Sequence, residues 1–153
     1  MKPGQAIFQD AGVPHAYLEG QNVEIMANSD NVLRGGLTAK HVDVPELMKH
    51  LKFEPTVPHI IQGETVDKSV ATYPTPAPDF ELSRIHLAKG HELSLVSQSV
   101  QIFLVLEGAV EVSGKGTKGF NRKKGEAWVS FDGANSRLKG LEEAVVYRAG
   151  VPG

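Results

Sequence analysis

From Phe80 onward the chain is a succession of short apolar runs separated by turn residues. Phe80, Leu82, Ile85 and Leu87 mark an alternating strand that ends at a Lys89-Gly90 turn. Val100 to Leu106 is almost continuously apolar, which predicts a strand buried on both faces. Glu107-Gly108 turns it back into Ala109 to Val112, and Gly114-Lys115-Gly116 reads as a hairpin loop. Lys124-Gly125 opens a strand from Ala127 to Phe131, and Ser136 to Leu138 and Glu143 to Ala149 complete the series. Short antiparallel strands with regular turns predict a sandwich or barrel, with Ile102, Leu104, Val129 and Val145 in its core.

The first half has a different texture. Turns at Pro3-Gly4, Gly12-Val13-Pro14 and Gly20-Gln21-Asn22 bracket three short strands: Gln5 to Phe8, His15 to Leu18 and Val23 to Ala27. Three strands of this length do not make a stable sheet alone, so they require a partner sheet. Asn28 to Lys40 is polar and contains glycine, as an ordered loop would be. Asp43 to Leu51 predicts a helix, with Asp43 as N-cap, Glu46 at the capping-box position and Pro45 in the first turn. Leu47, Met48 and Leu51 share its apolar face, and Pro55 and Pro58 end it. Pro74, Pro76 and Pro78 make a stiff connector that reads as a domain boundary or as a long loop. The chain therefore divides into strands that need a partner sheet (1–27), a loop, helix and connector (28–75) and a sandwich or barrel (76–153).

Composition removes several classes of function. The 153 residues include no cysteine, so disulfides and thiolate metal sites are excluded. A net charge of -2 offers no long-range attraction to nucleic acid or anionic membrane. No apolar run approaches membrane-spanning length and the N-terminus shows no signal-peptide pattern, so a cytoplasmic protein is expected.

Two segments resemble each other. Lys2 to Phe8 matches Lys123 to Val129, and both continue through a turn to a Leu-x-Gly, at Leu18 and Leu138. Counted from the shared glycine, His15 falls opposite Ser136. Two copies of one hairpin unit predict two related barrels, with an imidazole in the first where the second has a hydroxyl. His41, His50, His59, His86 and His91 show no ligand spacing and read as structural. Lys115, Lys118, Arg122, Lys123 and Lys124 read as a solvated hairpin tip.

Gly4 to Val44 contains Val13-Pro14-His15-Ala16-Tyr17-Leu18 and then Ser29-Asp30-Asn31-Val32-Leu33-Arg34-Gly35-Gly36-Leu37-Thr38-Ala39-Lys40. In letters and spacing these resemble the type I mannose-6-phosphate isomerases. Leu104-Val105-Leu106-Glu107-Gly108 and Lys124-Gly125-Glu126-Ala127 more loosely resemble that family's C-terminal cupin barrel. The resemblance implies an all-β, cupin-like antiparallel barrel (a jelly roll) with one short helix and extra strands from a second, incomplete barrel. It implies zinc-assisted interconversion of mannose 6-phosphate and fructose 6-phosphate through a cis-enediol.

His15 maps to one zinc ligand of that family. The others, a glutamine–histidine pair and a glutamate, lie upstream in the family's order, so the resemblance implies a zinc site that these residues carry only in part. A lone imidazole falls well short of the three or four protein ligands a zinc site takes. The resemblance also implies that Asp30 helps to open the sugar ring and Arg34 stabilises charge. Lys40 reaches for the phosphate or is a solvated surface lysine, and Tyr17 lines the pocket beside His15 or is a half-buried core tyrosine. A sugar phosphate is the expected substrate. An N-terminal half, or self-association through residues 1–27, is the expected partner, with no role for nucleic acid or membrane. The alternatives are a non-catalytic remnant or subunit dependent on a partner, and a free-standing cupin that binds a sugar phosphate.

Overall fold

The computed structural model describes residues 1–29 and 32–152. In chain order its elements are β1 (Gln5–Ile7), α1 (Val44–His50), β2 (Ile60–Gln62), β3 (Glu64–Asp67), β4 (Val70–Tyr73) and β5 (Glu81–Leu87). They continue with β6 (Glu92–Val96), β7 (Gln101–Glu107), β8 (Ala109–Gly114), β9 (Thr117–Lys123), β10 (Ala127–Ser130), β11 (Asn135–Gly140) and β12 (Ala144–Gly150). A six-stranded sheet runs β10-β7-β12-β5-β4-β3 and a four-stranded one β6-β11-β8-β9, all pairs antiparallel. One apolar cluster draws on both sheets, so they face each other across a shared core without closing into a continuous barrel.

The core is the face that Phe103 and Val105 share, not the one expected. In β7, Gln101, Phe103 and Val105 are buried while Ile102 is 53% exposed. In β10, Trp128 is buried and Val129 is 49% exposed. Leu104 and Val145 are only half-buried. The expected core thus lies on the outer face of the six-stranded sheet. Phe103 stacks on Trp128 with ring centroids 4.7 Å apart and planes 5° apart. Ile85, Leu87, Val110, Leu138 and Val146 complete the seal, each fully buried. Burying a side chain of this size stabilises the fold by about 1.5–3 kcal/mol. Gln101 is tolerated inside because Ser97 Oγ donates to its Oε1 at 3.2 Å, and Ser97 and Ser130 share a hydroxyl contact of 2.7 Å.

Three expectations need correction. The proline stretch after Tyr73 connects β4 to β5, which are neighbours in one sheet, so the sheet already begins at Glu64. The segments His15–Leu18 and Val23–Ala27 are not strands, because no ladder runs along either of them. The lysine-rich tip includes a strand, β9, in which the Arg122 guanidinium lies 4.5 Å from the centroid of the Phe120 ring.

The helix forms as its caps dictate. Asp43 Oδ1 accepts from the Glu46 amide at 3.0 Å. The Glu46 carboxylate is engaged by Lys49 at 2.6 Å and His50 at 3.0 Å.

The N-terminal segment rests on the outer face of the six-stranded sheet. β1 pairs with β2, and the Tyr73 hydroxyl donates to the Gly4 carbonyl at 2.9 Å. A Cβ at Gly4 would collide with the Arg84 guanidinium, and one at Gly63 would press on Ala71 and the Tyr73 ring. Burial, reinforced by the Tyr147 phenol, pushes the Tyr73 phenol up to about 12, against a smaller opposing effect of Arg84.

This packing is testable at two glycines and one phenol. Gly108 has φ 69° and a Cβ there would overlap the Glu143 carbonyl. Gly108→Ala should therefore lower unfolding free energy by about 2 kcal/mol or more in urea titration. Gly116→Ala, at φ 78° in open space, should cost about 1 kcal/mol. A raised Tyr73 pKa means that the folded state favours the neutral phenol. Stability should hold below the ordinary value of 10.0 and fall between there and about 12. Tyr73→Phe should flatten that decline in pH-dependent denaturation, and an unchanged slope would assign it to another group.

Candidate functional site

The arm that carries His15 is held at two turns. In the first, the Gln5 amide donates to the Lys2 carbonyl at 3.1 Å, Gly4 takes φ 82°, and the Lys2 amide donates to Gln5 Oε1 at 2.7 Å. In the second, the Val13 amide donates to the Asp10 carbonyl at 3.4 Å and Gly12 takes φ 80°. Gly12 also lets the helix end come close, since a Cβ there would lie 2.7 Å from the His50 carbonyl oxygen. The Lys52 amide donates to the Gly12 carbonyl at 2.9 Å, and its ammonium pairs with Asp10. The Lys52 hydrogen bond, the Ala11 amide and the Lys52 charge together hold the Asp10 carboxyl below its usual range.

The same two turns recur at the other end of the chain. The Glu126 amide donates to the Lys123 carbonyl at 2.9 Å, Gly125 takes φ 84°, and the Lys123 amide donates to Glu126 Oε2 at 2.9 Å. The Ala134 amide donates to the Phe131 carbonyl at 3.1 Å, with Gly133 at φ 73°. Gly4 to Gly12 and Gly125 to Gly133 span the same number of residues. The two turns of the expected internal repeat are therefore alike in backbone conformation and in a side-chain bond, whereas the hairpins expected to match do not. Beyond the turns the two copies differ. Ser136, the counterpart of His15, sits in β11 between β6 and β8, whereas His15 lies in a segment with no ladder.

The structure brings His15 and Tyr17 together, with ring centroids 5.8 Å apart and planes at 74°. His15 Nδ1 lies 3.2 Å from the Val13 carbonyl. A carbonyl only accepts, so Nδ1 is the donor in this bond, and in the neutral ring that leaves the lone pair on Nε2, the tautomer in which histidine binds metals. Burial, then the Glu24 carboxylate, raises the Tyr17 phenol above its ordinary pKa, while Asn22 opposes the shift through a side-chain hydrogen bond. Tyr17 is nonetheless 63% exposed. Glu24 with Met26 to Ser29 lines a shallow cleft of about 440 Å³. Arg34 and Lys40 are exposed, and the Lys40 amide donates to Thr38 Oγ1 at 3.1 Å. Asp30 lies outside the described residues.

Among the described residues no three His, Asp or Glu side chains come close enough to hold a metal. His15 is thus a single donor, and the residues present do not by themselves fit a zinc ion. His86 and His91, read as structural, have partners: Glu143 at 3.1 Å and Ser69 Oγ at 3.1 Å. No described helix is long and apolar enough to cross a membrane. Sequence reasoning overlooked a second cleft of about 530 Å³, lined by Phe8, His59, Gln62, Glu64 and Pro74 among others. The β2 and β3 strands beside it carry no clear alternation that would have revealed it.

Comparison with known proteins decides the ancestry. Over 136 residues the chain is 39% identical to the mannose-6-phosphate isomerase of Escherichia coli, covering 88% of this chain and 34% of that protein. It is homologous to the C-terminal part of the mannose-6-phosphate isomerases. Mannose-6-phosphate isomerase 2 of Arabidopsis thaliana is 35% identical over 99% of this chain and 34% of its own length. A crystal structure of mannose 6-phosphate isomerase from Salmonella typhimurium, bound to substrate and zinc, superimposes with a TM-score of 0.67 at 31% identity. That match covers 82% of this chain and 32% of the other. The chain spans about a third of the length of these relatives. No family model matches it.

The Tyr17 environment is open to direct measurement. In a tyrosine-ring NMR titration, Tyr17 should ionise above an ordinary phenol. Glu24→Gln should move it only part of the way back, because burial, the larger cause, remains. A titration indifferent to Glu24→Gln would show that the two groups are uncoupled.

Proposed function

We infer that this chain supplies the C-terminal part of a zinc-dependent mannose-6-phosphate isomerase, which interconverts mannose 6-phosphate and fructose 6-phosphate. The observation that carries this reading is Pro14-His15-Ala16-Tyr17 in its setting: a metal-ready imidazole beside a tyrosine, in a chain homologous to those isomerases. His15 is one zinc ligand, and the remaining ligands come from the part of the isomerase that this chain does not span. The zinc, when bound, stabilises negative charge on the substrate oxygens.

The reaction moves a proton between adjacent carbons through a cis-enediolate, after the sugar ring has been opened. Arg34 is suited to the developing negative charge, since its guanidinium stays ionised and planar. Asp30, four residues before it, handles the proton at the ring oxygen. Lys40 anchors the phosphate as a point charge, and Tyr17 forms a wall of the pocket beside His15. Residues 1–27 belong to the catalytic barrel, and the paired sheets from Glu64 onward belong to a second, barrel-like unit without metal. The internal repeat supports this division, because its second copy has Ser136 where the first has His15.

The test compares the chain alone with a chimaera in which it replaces the matched third of the Escherichia coli isomerase. Alone, it should hold far less than one zinc per chain and form no measurable fructose 6-phosphate. The chimaera should hold one zinc and turn over. In the chimaera, Arg34→Ala should lower kcat at least a hundredfold with zinc content unchanged. Stoichiometric zinc and full turnover from the isolated chain would refute the shared site, and equal loss of zinc and activity would make Arg34 a structural residue.

A further inference from the structure

The outer face of the six-stranded sheet is covered at one end and bare at the other. At the β4–β5 end, Gly4 and Gly63 lie on Tyr73, Ala71 and Arg84, and Tyr73 is 3% exposed. Toward β10 the face carries no such cover. Register places Val129 beside Ile102 and Ile102 beside Ala149 in one row, and Ala127, Leu104 and Tyr147 in the next. Just beyond the strand ends, Val100, Phe131 and Val151 are also exposed. Their exposures are 54%, 68% and 51%, beside 53% for Ile102 and 49% for Val129. No charged residue interrupts these rows across β10, β7 and β12. Solvated sheet faces ordinarily alternate apolar-in with polar-out, and a contiguous apolar patch on such a face marks an interface.

We propose that this bare half is the surface on which the upstream part of the isomerase packs, through an apolar surface of its own. The proposal rests on the function inferred above. Two observations choose this occupant. The patch continues, across Ala149–Leu82 and Tyr147–Arg84, the same sheet face that β1 and β2 already cover. Half of that cover, β1 with Gly4, belongs to the arm carrying His15, the part of the chain assigned to the catalytic barrel. An uncharged patch also has nothing to offer a sugar phosphate or a nucleic acid, so its complement is apolar polypeptide.

Because the chain has no cysteine, a single thiol reports on the face. Ile102→Cys places one there at a position already half exposed, and Lys115→Cys places a control at the hairpin tip. In the chimaera, peptide mapping after labelling should show the Ile102→Cys thiol reacting at least tenfold more slowly than the control. In dilute isolated chain the two should react at similar rates. Equal rates in the chimaera overturn the proposal, and if that chimaera is active the functional reading survives without it. A protected thiol in an inactive chimaera supports the surface while sinking the functional reading. Protection in the isolated chain that disappears on dilution would make a second copy the occupant and overturn the one chosen here.

Discussion

A strand exists only where another strand satisfies its backbone, and that constraint divides this chain in two. From Glu64 to Gly150 every strand has a neighbour, the two sheets share one core, and Phe103, Ile85 and Leu138 lose their water completely. Between Phe8 and Val42 no ladder forms among the described residues, although Val23 to Ala27 and His15 to Leu18 have strand-like composition. Leu18 is 91% exposed and Leu37 95%. Side-chain preference did not produce strands there, because β propensity describes fit to a neighbouring sheet rather than a property of the isolated segment.

The internal repeat isolates that effect. The two copies start from matched turns, with glycine in the left-handed region at equivalent positions and a side-chain oxygen accepting from the same backbone amide. Local chemistry is therefore alike up to Val13 and Ala134. The copies diverge where tertiary pairing takes over. β11 has β6 on one side and β8 on the other, and it buries Leu138 completely. The His15 segment lacks such neighbours, and Tyr17, near the counterpart of Leu138, stays mostly exposed.

Legibility in the sequence divides along the same line. The helix and the turns at Gly90, Gly108 and Gly125 were legible, because caps and left-handed glycines are local signals. The main antiparallel strands were legible from alternation. The facing of β7 was not. Val100, Ile102, Leu104 and Leu106 on one side look more core-like than Gln101, Phe103 and Val105 on the other. Gln101 is inside because Ser97 and Ser130 complete a hydrogen-bonded group with it, a long-range fact that no window of sequence contains. β9 escaped notice because Thr117-Lys118-Gly119-Phe120-Asn121-Arg122-Lys123 is polar and edge-like. His15 and Tyr17 were legible as a pair from their spacing, and the carbonyl that orients the imidazole was not.

The two surfaces left open call for different complements. Along the described part of the His15 arm beyond Ile7 the backbone lacks a ladder, and a ladder is satisfied only from the side, by strands lying beside it. On the six-stranded sheet the ladders of β7 and β12 are complete, and what faces water is a field of side chains, satisfied only from above by another apolar layer. A sugar phosphate can do neither. A second copy of this chain could cover the sheet face, yet its own His15 arm would bring the same shortage of strands. A single polypeptide that offers strand edges to the arm and an apolar face to the sheet meets both demands. In the proposed isomerase, the strands that would pair with the His15 arm and the donors that would join His15 at a metal would thus come from one and the same polypeptide.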